Sequence, residues 1–247
     1  MFAEDEAQLL VGAAGTPAEL DAMVERRVAG LPLEQILGWA EFCGLRITVV
    51  PGVFVPRRRT EFLAHQAIAL AAPDAVVLDL CCGAGPVGAA MLVARPGVEL
   101  HAADIDPVAV ACAQLNVAAV GGAASRVYVG DLYEPLPAEL RGRIDVLVAN
   151  APYVPTEAIA LMPPEAREYE PRTALDGGAA GIEVQRRVID AAPLWLAAGG
   201  HLLVETSERQ GPETLDALAR GGLAGRVARS EEQDATVVIG GRLAAPD

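Results

Sequence analysis

The feature that most constrains this chain is a period that starts at residue 75. Short apolar runs of strand length alternate with helix-length segments, and several runs finish at an aspartate or asparagine. Ala75–Leu80 reads as a buried strand, Pro86–Ala94 as a helix and Val98–Ile105 as the next strand. Pro107–Val120 is a helix capped by Asp106, with proline at its first position. Arg126–Gly130 and Ile144–Ala149 are further strands, Ile182–Leu196 a helix and His201–Glu205 a strand. Val227–Ser230 and Ala235–Ile239 complete the set as an antiparallel pair. Such alternation implies an α/β fold: an open, mostly parallel sheet with helices on both faces. Ahead of it, residues 4–40 read as short helices. Leu9, Leu10, Ala13 and Ala14 form a stripe, Thr16-Pro17 starts a helix and Gly30 ends one. Across Phe42–Val55 the pattern is that of a hairpin, with Leu45–Val49 alternating, a turn at Pro51-Gly52 and Val53–Val55 following. Glu61–Ala72 returns to helical spacing. The expected organisation is a helical region over 1–40, a hairpin and linking helix over 41–72, and one large domain over 73–247.

Charge and composition remove several classes. The 19 basic residues are all arginine against 33 acidic ones, a net charge of −14, so no catalytic lysine exists. A chain this acidic repels phosphate backbones on average, which tilts against nucleic acid as a partner. The longest apolar runs fall far short of the roughly 20 residues that span a bilayer. The opening Met-Phe-Ala-Glu-Asp-Glu is acidic where a secretory signal is basic. Cys43, Cys81, Cys82 and Cys112 form no Cys-x-x-Cys pair, which suits a reduced, cytoplasmic setting. His65, His101 and His201 are scattered, and no metal site is expected. Cys81-Cys82 reads as a pair of small buried residues, and Arg57-Arg58-Arg59 as a solvated turn.

The chemistry concentrates at strand ends. The first ends Val77-Leu78-Asp79-Leu80-Cys81-Cys82-Gly83-Ala84-Gly85-Pro86, where glycines let backbone approach a ligand closely. Asp104 ends the second strand, where a carboxylate accepts from both hydroxyls of a ribose. Asp131 ends the third, where it accepts from an adenine amine. Acidic groups at successive strand ends suit an adenosine without phosphate. Gly83–Gly88 matches G-x-G-x-x-G, but Asp79 crowds a pyrophosphate and Pro86 lacks an N–H that a dinucleotide site uses. The fourth strand ends Asn150-Ala151-Pro152-Tyr153. There the asparagine oxygen and the Ala151 carbonyl can accept both hydrogens of one planar NH2 group. Pro152 restrains the backbone and Tyr153 offers a flat face.

These residues resemble the protein-(glutamine) N-methyltransferases of the HemK/PrmC group. Gly30–Gly38 with Glu41-Phe42 is similar to the segment before that family's hairpin, and Val55-Pro56-Arg57 with Thr60-Glu61 to the motif after it. Asn150–Tyr153 falls on the family's Asn-Pro-Pro-Tyr. Glu170-Pro171-Arg172, Ala174-Leu175, Gly177-Gly178 and Gly181 match a downstream stretch that discriminates strongly. The resemblance implies a seven-stranded, Rossmann-like class I methyltransferase sheet and S-adenosylmethionine as cofactor, released as S-adenosylhomocysteine. It assigns Asp79, Cys81, Gly83, Gly85, Asp104, Ile105, Asp131, Leu132 and Asn150 to the cofactor, and Asn150, Ala151, Pro152 and Tyr153 to catalysis. The implied partner is a protein substrate, a peptide-chain release factor or a related protein, with no membrane.

The chain departs from the family pattern at several places. Cys81 replaces the first glycine of the loop, so the backbone there is expected to suit a residue with a Cβ. Ala151 replaces a proline, Arg58-Arg59 replaces Pro-Glu, and Thr206-Ser207 replaces Ile-Gly. The region before the hairpin is shorter than the family's substrate-holding helical domain. Together these point to a related subgroup with its own target. The implied reaction is direct methyl transfer to a glutamine amide with no general base, in which holding the reactants in line lowers the barrier by roughly 7–11 kcal/mol. An amino-methyltransferase acting on a nucleic-acid base, and a cofactor-binding module without catalysis, are the alternatives.

Overall fold

Helices lead the chain in the computed structural model, which describes residues 3–243; Met1 and Phe2 of the acidic opening lie outside the described residues. They are α1 (Ala3–Ala13), α2 (Pro17–Val28) and α3 (Leu33–Leu37). Thr16 caps α2, its side chain accepting from the Glu19 N–H with Pro17 at the first position. Leu10, Leu33 and Ile36 form their apolar centre. Arg27 of α2 pairs with Glu6 at 2.8 Å and with Glu165 at 2.9 Å.

The hairpin is β1 (Trp39–Phe42) and β2 (Leu45–Thr48), with Phe42 opposite Leu45. Its turn is Cys43-Gly44, with φ of 50° and 74°, both positive as a tight two-residue hairpin requires. This corrects the expected turn at Pro51-Gly52. Cysteine is a poor turn signal, so the real reversal is hidden. Pro51-Gly52 instead bends the chain after β2, and Val53 and Val55 are buried without strand pairing.

The rest alternates: α4 (Thr60–Leu70), β3 (Val76–Leu80), α5 (Pro86–Ala94), β4 (Glu99–Asp104), α6 (Pro107–Ala119), β5 (Arg126–Val129) and β6 (Ile144–Ala149). Then come α7 (Pro164–Tyr169), α8 (Arg172–Leu175), α9 (Glu183–Trp195), β7 (Leu196–Thr206), α10 (Gly211–Arg220), β8 (Ala224–Ser230) and β9 (Ala235–Gly241). Helix α10 escapes sequence pattern because it opens Gly-Pro and carries only Leu215 and Leu218 as large apolar residues. The sheet has seven strands in the order β5-β4-β3-β6-β7-β9-β8, as expected for the class. All neighbours are parallel except β9, which runs against both β7 and β8.

Strand residues alternate between two cores, as the two-residue period demands. Val77, Val146, Val148 and Leu203 pack toward α4, α5 and α6, where Ala64, Ala67, Ala89 and Ala90 let the helices approach closely. Leu78, Leu80, Leu147 and Leu202 face Val188, Ile189 and Leu218 of α9 and α10. From β3 the chain crosses to β4 on one side, and β6 lies on the other, so a crevice opens at the carboxyl ends of β3 and β6. No helix among the described residues is long and apolar enough to cross a membrane.

One buried amide joins the hairpin to this crevice. Asn116 of α6 donates to the Thr48 carbonyl (2.9 Å) and the Ala84 carbonyl (2.8 Å), and accepts from the Thr48 N–H (2.8 Å). Asn116→Ala strands those buried groups at about 1–3 kcal/mol each, so we expect a net loss of about 3 kcal/mol. Urea unfolding checks this; a midpoint equal to the wild type's overturns it.

Candidate functional site

The loop between β3 and α5 is built on left-handed backbone, with φ of 57° at Cys81, 54° at Gly83 and 74° at Gly85. For Cys81 this corrects the sequence expectation: the position suits glycine, and a residue with a Cβ is held there at a cost of about 1–2 kcal/mol. A Cβ on Gly83 meets nothing within 4 Å, because the position faces open space. A Cβ on Gly85 falls 2.9 Å from the Ala113 Cβ; Gly85 sets the approach of α5 to α6 and is not on the cavity wall. Asp104 ties the loop down, its Oδ2 accepting from the Gly83 N–H at 2.8 Å and its Oδ1 from the Asp106 N–H at 3.0 Å. Each oxygen keeps a second lone pair for a ligand.

A cavity of about 500 Å³ lies at this edge of the sheet. Asp79, Cys81 and Gly83 wall it from β3, and Asp104 and Ile105 from β4. Asp131 and Leu132 follow β5, and Asn150–Tyr153 follow β6. Burial pushes the Asp79 carboxyl up to about 7, against the pull of the Gly88 N–H on its Oδ2 (3.2 Å). Burial also raises Asp104. Burial holds the Cys81 and Cys82 thiols far above their ordinary range, so both stay protonated. Asp131 is more open and pairs with Arg187 of α9 at 2.7 Å. Among the described residues no cluster of His, Cys, Asp and Glu is arranged to hold a metal.

At the tip of β6 the Asn150 Nδ2 donates to the Thr60 Oγ1 at 3.3 Å. Among the described residues no hydrogen bond reaches the Asn150 Oδ1 or the Ala151 carbonyl. The Tyr153 hydroxyl donates to Glu205 Oε1 (3.3 Å), and its carbonyl accepts from the Gln210 side chain (2.9 Å). The Glu170–Gly181 stretch packs directly on this tip. A Cβ on Gly177 falls 2.7 Å from both the Pro152 oxygen and the Tyr153 Cα, so only glycine allows the approach. Glu170 accepts from the Val55 N–H (3.1 Å) and pairs with Arg57. Arg59 lies 5.9 Å over the Tyr153 ring and 3.7 Å from Glu205. Arg57 and Arg59 are therefore ion-paired parts of the cavity wall, correcting the reading of a solvated turn.

Sequence reasoning did not single out Glu205 or Arg187, and it gave Thr60 and Glu170 no contact. The available signal was position: Glu205 lies near the end of the strand next to the one that Asn150 follows, as Asp104 ends the strand next to that of Asp79.

Residues 44–162 match the family model described as "Methyltransferase small domain". The release factor glutamine methyltransferase of Geobacter sulfurreducens is 38% identical over 92% of this chain and 80% of that protein. That of Mycolicibacterium smegmatis is 36% identical over 83% of this chain and 72% of its own. Among solved structures, the T. thermophilus 16S rRNA N2 G1207 methyltransferase (RsmC), in complex with AdoMet and guanosine, superposes with a TM-score of 0.58 at 20% identity, covering 83% of this chain and 49% of that one. That likeness is one of fold. With identity of this degree along most of both sequences, the chain belongs to the release factor glutamine methyltransferase family.

Proposed function

We propose that the protein transfers a methyl group from S-adenosylmethionine to the side-chain amide nitrogen of a glutamine in a protein substrate, a release factor in keeping with its relatives. The observation that carries this reading is the pair of untaken acceptors, Asn150 Oδ1 and the Ala151 carbonyl, on the same cavity as Asp79 and Asp104. The free thiols of the four cysteines support a cytoplasmic setting.

The cavity fits such a cofactor on its own terms. Gly83 leaves open space, Asp104 has lone pairs to offer ribose hydroxyls, and Asp79 is a buried carboxyl suited to a positive charge. Ile105 and Leu132 give apolar contact for an adenine and Asp131 an acceptor for its amine, while Cys81 carries the bend of the loop. When bound, S-adenosylmethionine supplies a methyl on a positively charged sulfur. Asn150 and the Ala151 carbonyl accept from the two N–H groups of the target amide, holding its plane and pushing electron density back to nitrogen. Pro152 restrains the carbonyl and Tyr153 covers a face of the amide. Held by Asp79, Asp104 and Asp131, the cofactor would supply its methyl to the nitrogen so aimed, and the amide would release one proton to solvent. Preorganised acceptors of this kind need no reorganisation during the reaction.

Asp104→Ala is expected to weaken S-adenosylhomocysteine binding about 100-fold in calorimetry, the equivalent of losing hydrogen bonds to a charged group. An unchanged affinity removes the ribose assignment. Asn150→Ala is expected to keep that affinity while transfer of tritiated methyl to release factor falls by about 100-fold or more, the scale seen when one transition-state hydrogen bond is lost. Label that survives in this variant, or that nuclease rather than protease removes, sinks the mechanism.

The Asp79 carboxyl makes a third expectation. Its folded pKa of about 7 lies above the unfolded value. In the empty protein its stabilising contribution is therefore complete below about pH 4 and lost as pH rises toward about 7. A positive ligand reverses the sign, so affinity for S-adenosylmethionine should rise from about pH 6 to about pH 8 with proton release on binding. Calorimetry in two buffers of different ionisation enthalpy measures this, and a flat profile refutes placing Asp79 beside the positive charge.

A further inference from the structure

Glu205 is the buried acid that the mechanism above does not use. It is 2% exposed, near the tip of β7. The register pairs Ala149 with Val204, which sets Glu205 level with Asn150 on the neighbouring strand. Its Oε1 takes the Tyr153 hydroxyl at 3.3 Å and faces Arg59 at 3.7 Å, while its buried Oε2 has no hydrogen-bond partner among the described residues. The Thr60 hydroxyl accepts from Asn150 Nδ2 and is close enough to Glu205 to draw its carboxyl toward the ionised form.

We propose that Glu205 is a positioning residue that sets the direction of the hydrogen-bond chain behind Asn150, and so makes the site select an amide over a carboxylate. The inference rests on the methyl-transfer reading given above. An ionised carboxylate only accepts, and a hydroxyl has one hydrogen to give. Among the described residues no other acceptor takes that hydrogen, and turned to the unpartnered Oε2 of Glu205 it leaves Thr60 to meet Asn150 with lone pairs alone. Asn150 must then turn its NH2 inward, which leaves Oδ1 for the cavity. A donor at position 205 reverses every link. Thr60 then gives its hydrogen to Asn150 Oδ1, the amide turns over, and the cavity is offered an NH2. Such a donor repels a glutamine NH2 and suits a carboxylate. Burial pushes the Glu205 carboxyl up, while the Thr60 hydroxyl, the Arg59 guanidinium and the Tyr153 hydroxyl pull it back toward the ionised form. Arg59 holds this pairing while lying over the Tyr153 ring, so the departure from Pro-Glu at Arg58-Arg59 places a positive charge beside the acid and draws it toward the ionised form.

The test is Glu205→Gln, which keeps the shape and supplies a donor. The probes are the release factor of the same organism and its variant with glutamate at the methylated glutamine, bound in the presence of S-adenosylhomocysteine. The wild type should prefer the glutamine form by about tenfold or more, and Glu205→Gln should erase or invert that preference. Its kcat should drop about 100-fold with S-adenosylhomocysteine affinity unchanged. Thr60→Val removes the middle link and should also erase the preference, through a site that leaves Glu205 in place. A preference kept in both variants, with an active wild type, overturns the role of Glu205 and leaves methyl transfer standing. A wild type that methylates no glutamine overturns both.

Discussion

Burying carboxylates at the edge of a parallel sheet is costly, and the site exists because backbone N–H groups offset that cost. Asp79 sits inside the protein with the Gly88 N–H on one oxygen, and Asp104 takes the N–H groups of Gly83 and Asp106. A bare buried carboxylate is pushed strongly toward its neutral form. These contacts offset part of that cost, and in the same stroke they shape the loop on the cavity wall. The glycines divide the labour. Gly83 keeps space on the ligand side, and Gly85 brings α6 close on the other.

The half of the cavity proposed to take the substrate is assembled differently. Its centre is a short tip after β6, and nearly every support comes from a segment distant in sequence. Thr60 turns the Asn150 amide, Gln210 holds the Tyr153 carbonyl, and Gly177 lies against the Pro152–Tyr153 backbone. Glu170 closes the ring by joining α7 and α8 to the segment after the hairpin through Val55 and Arg57. The stretches of sequence that most resemble the family are thus the ones that touch one another. Each ion pair on this wall also removes a charge from a pocket that the proposed reaction fills with a neutral amide.

How much of this is legible beforehand follows from the range of the forces involved. Alternation of strands and helices is local, and so are proline starts and the Asp106 cap; those elements stand where the periodicity puts them. The aspartates at strand ends are legible because a parallel sheet brings every carboxyl terminus to one edge. The hairpin turn was hidden because Cys43 carries no turn signal, and α10 because it opens Gly-Pro and carries only two large apolar residues. Thr60, Glu205 and Arg187 act through partners supplied by tertiary packing, and no window of sequence contains both ends of such a contact. Arg57 and Arg59 show the limit most plainly: a run of like charges looks solvated until Glu170 and Glu205 are brought beneath it.

Cys81 follows β3 and Leu132 follows β5, with β4 between them in the sheet, and both hold left-handed backbone without being glycine. Neither conformation would persist in an isolated loop. The tightly packed strands and helices underneath impose them, so the stiffness of the cavity floor is borrowed from the interior. Loosening that interior, even far from the opening, would let these bends relax and blur the outline a ligand meets.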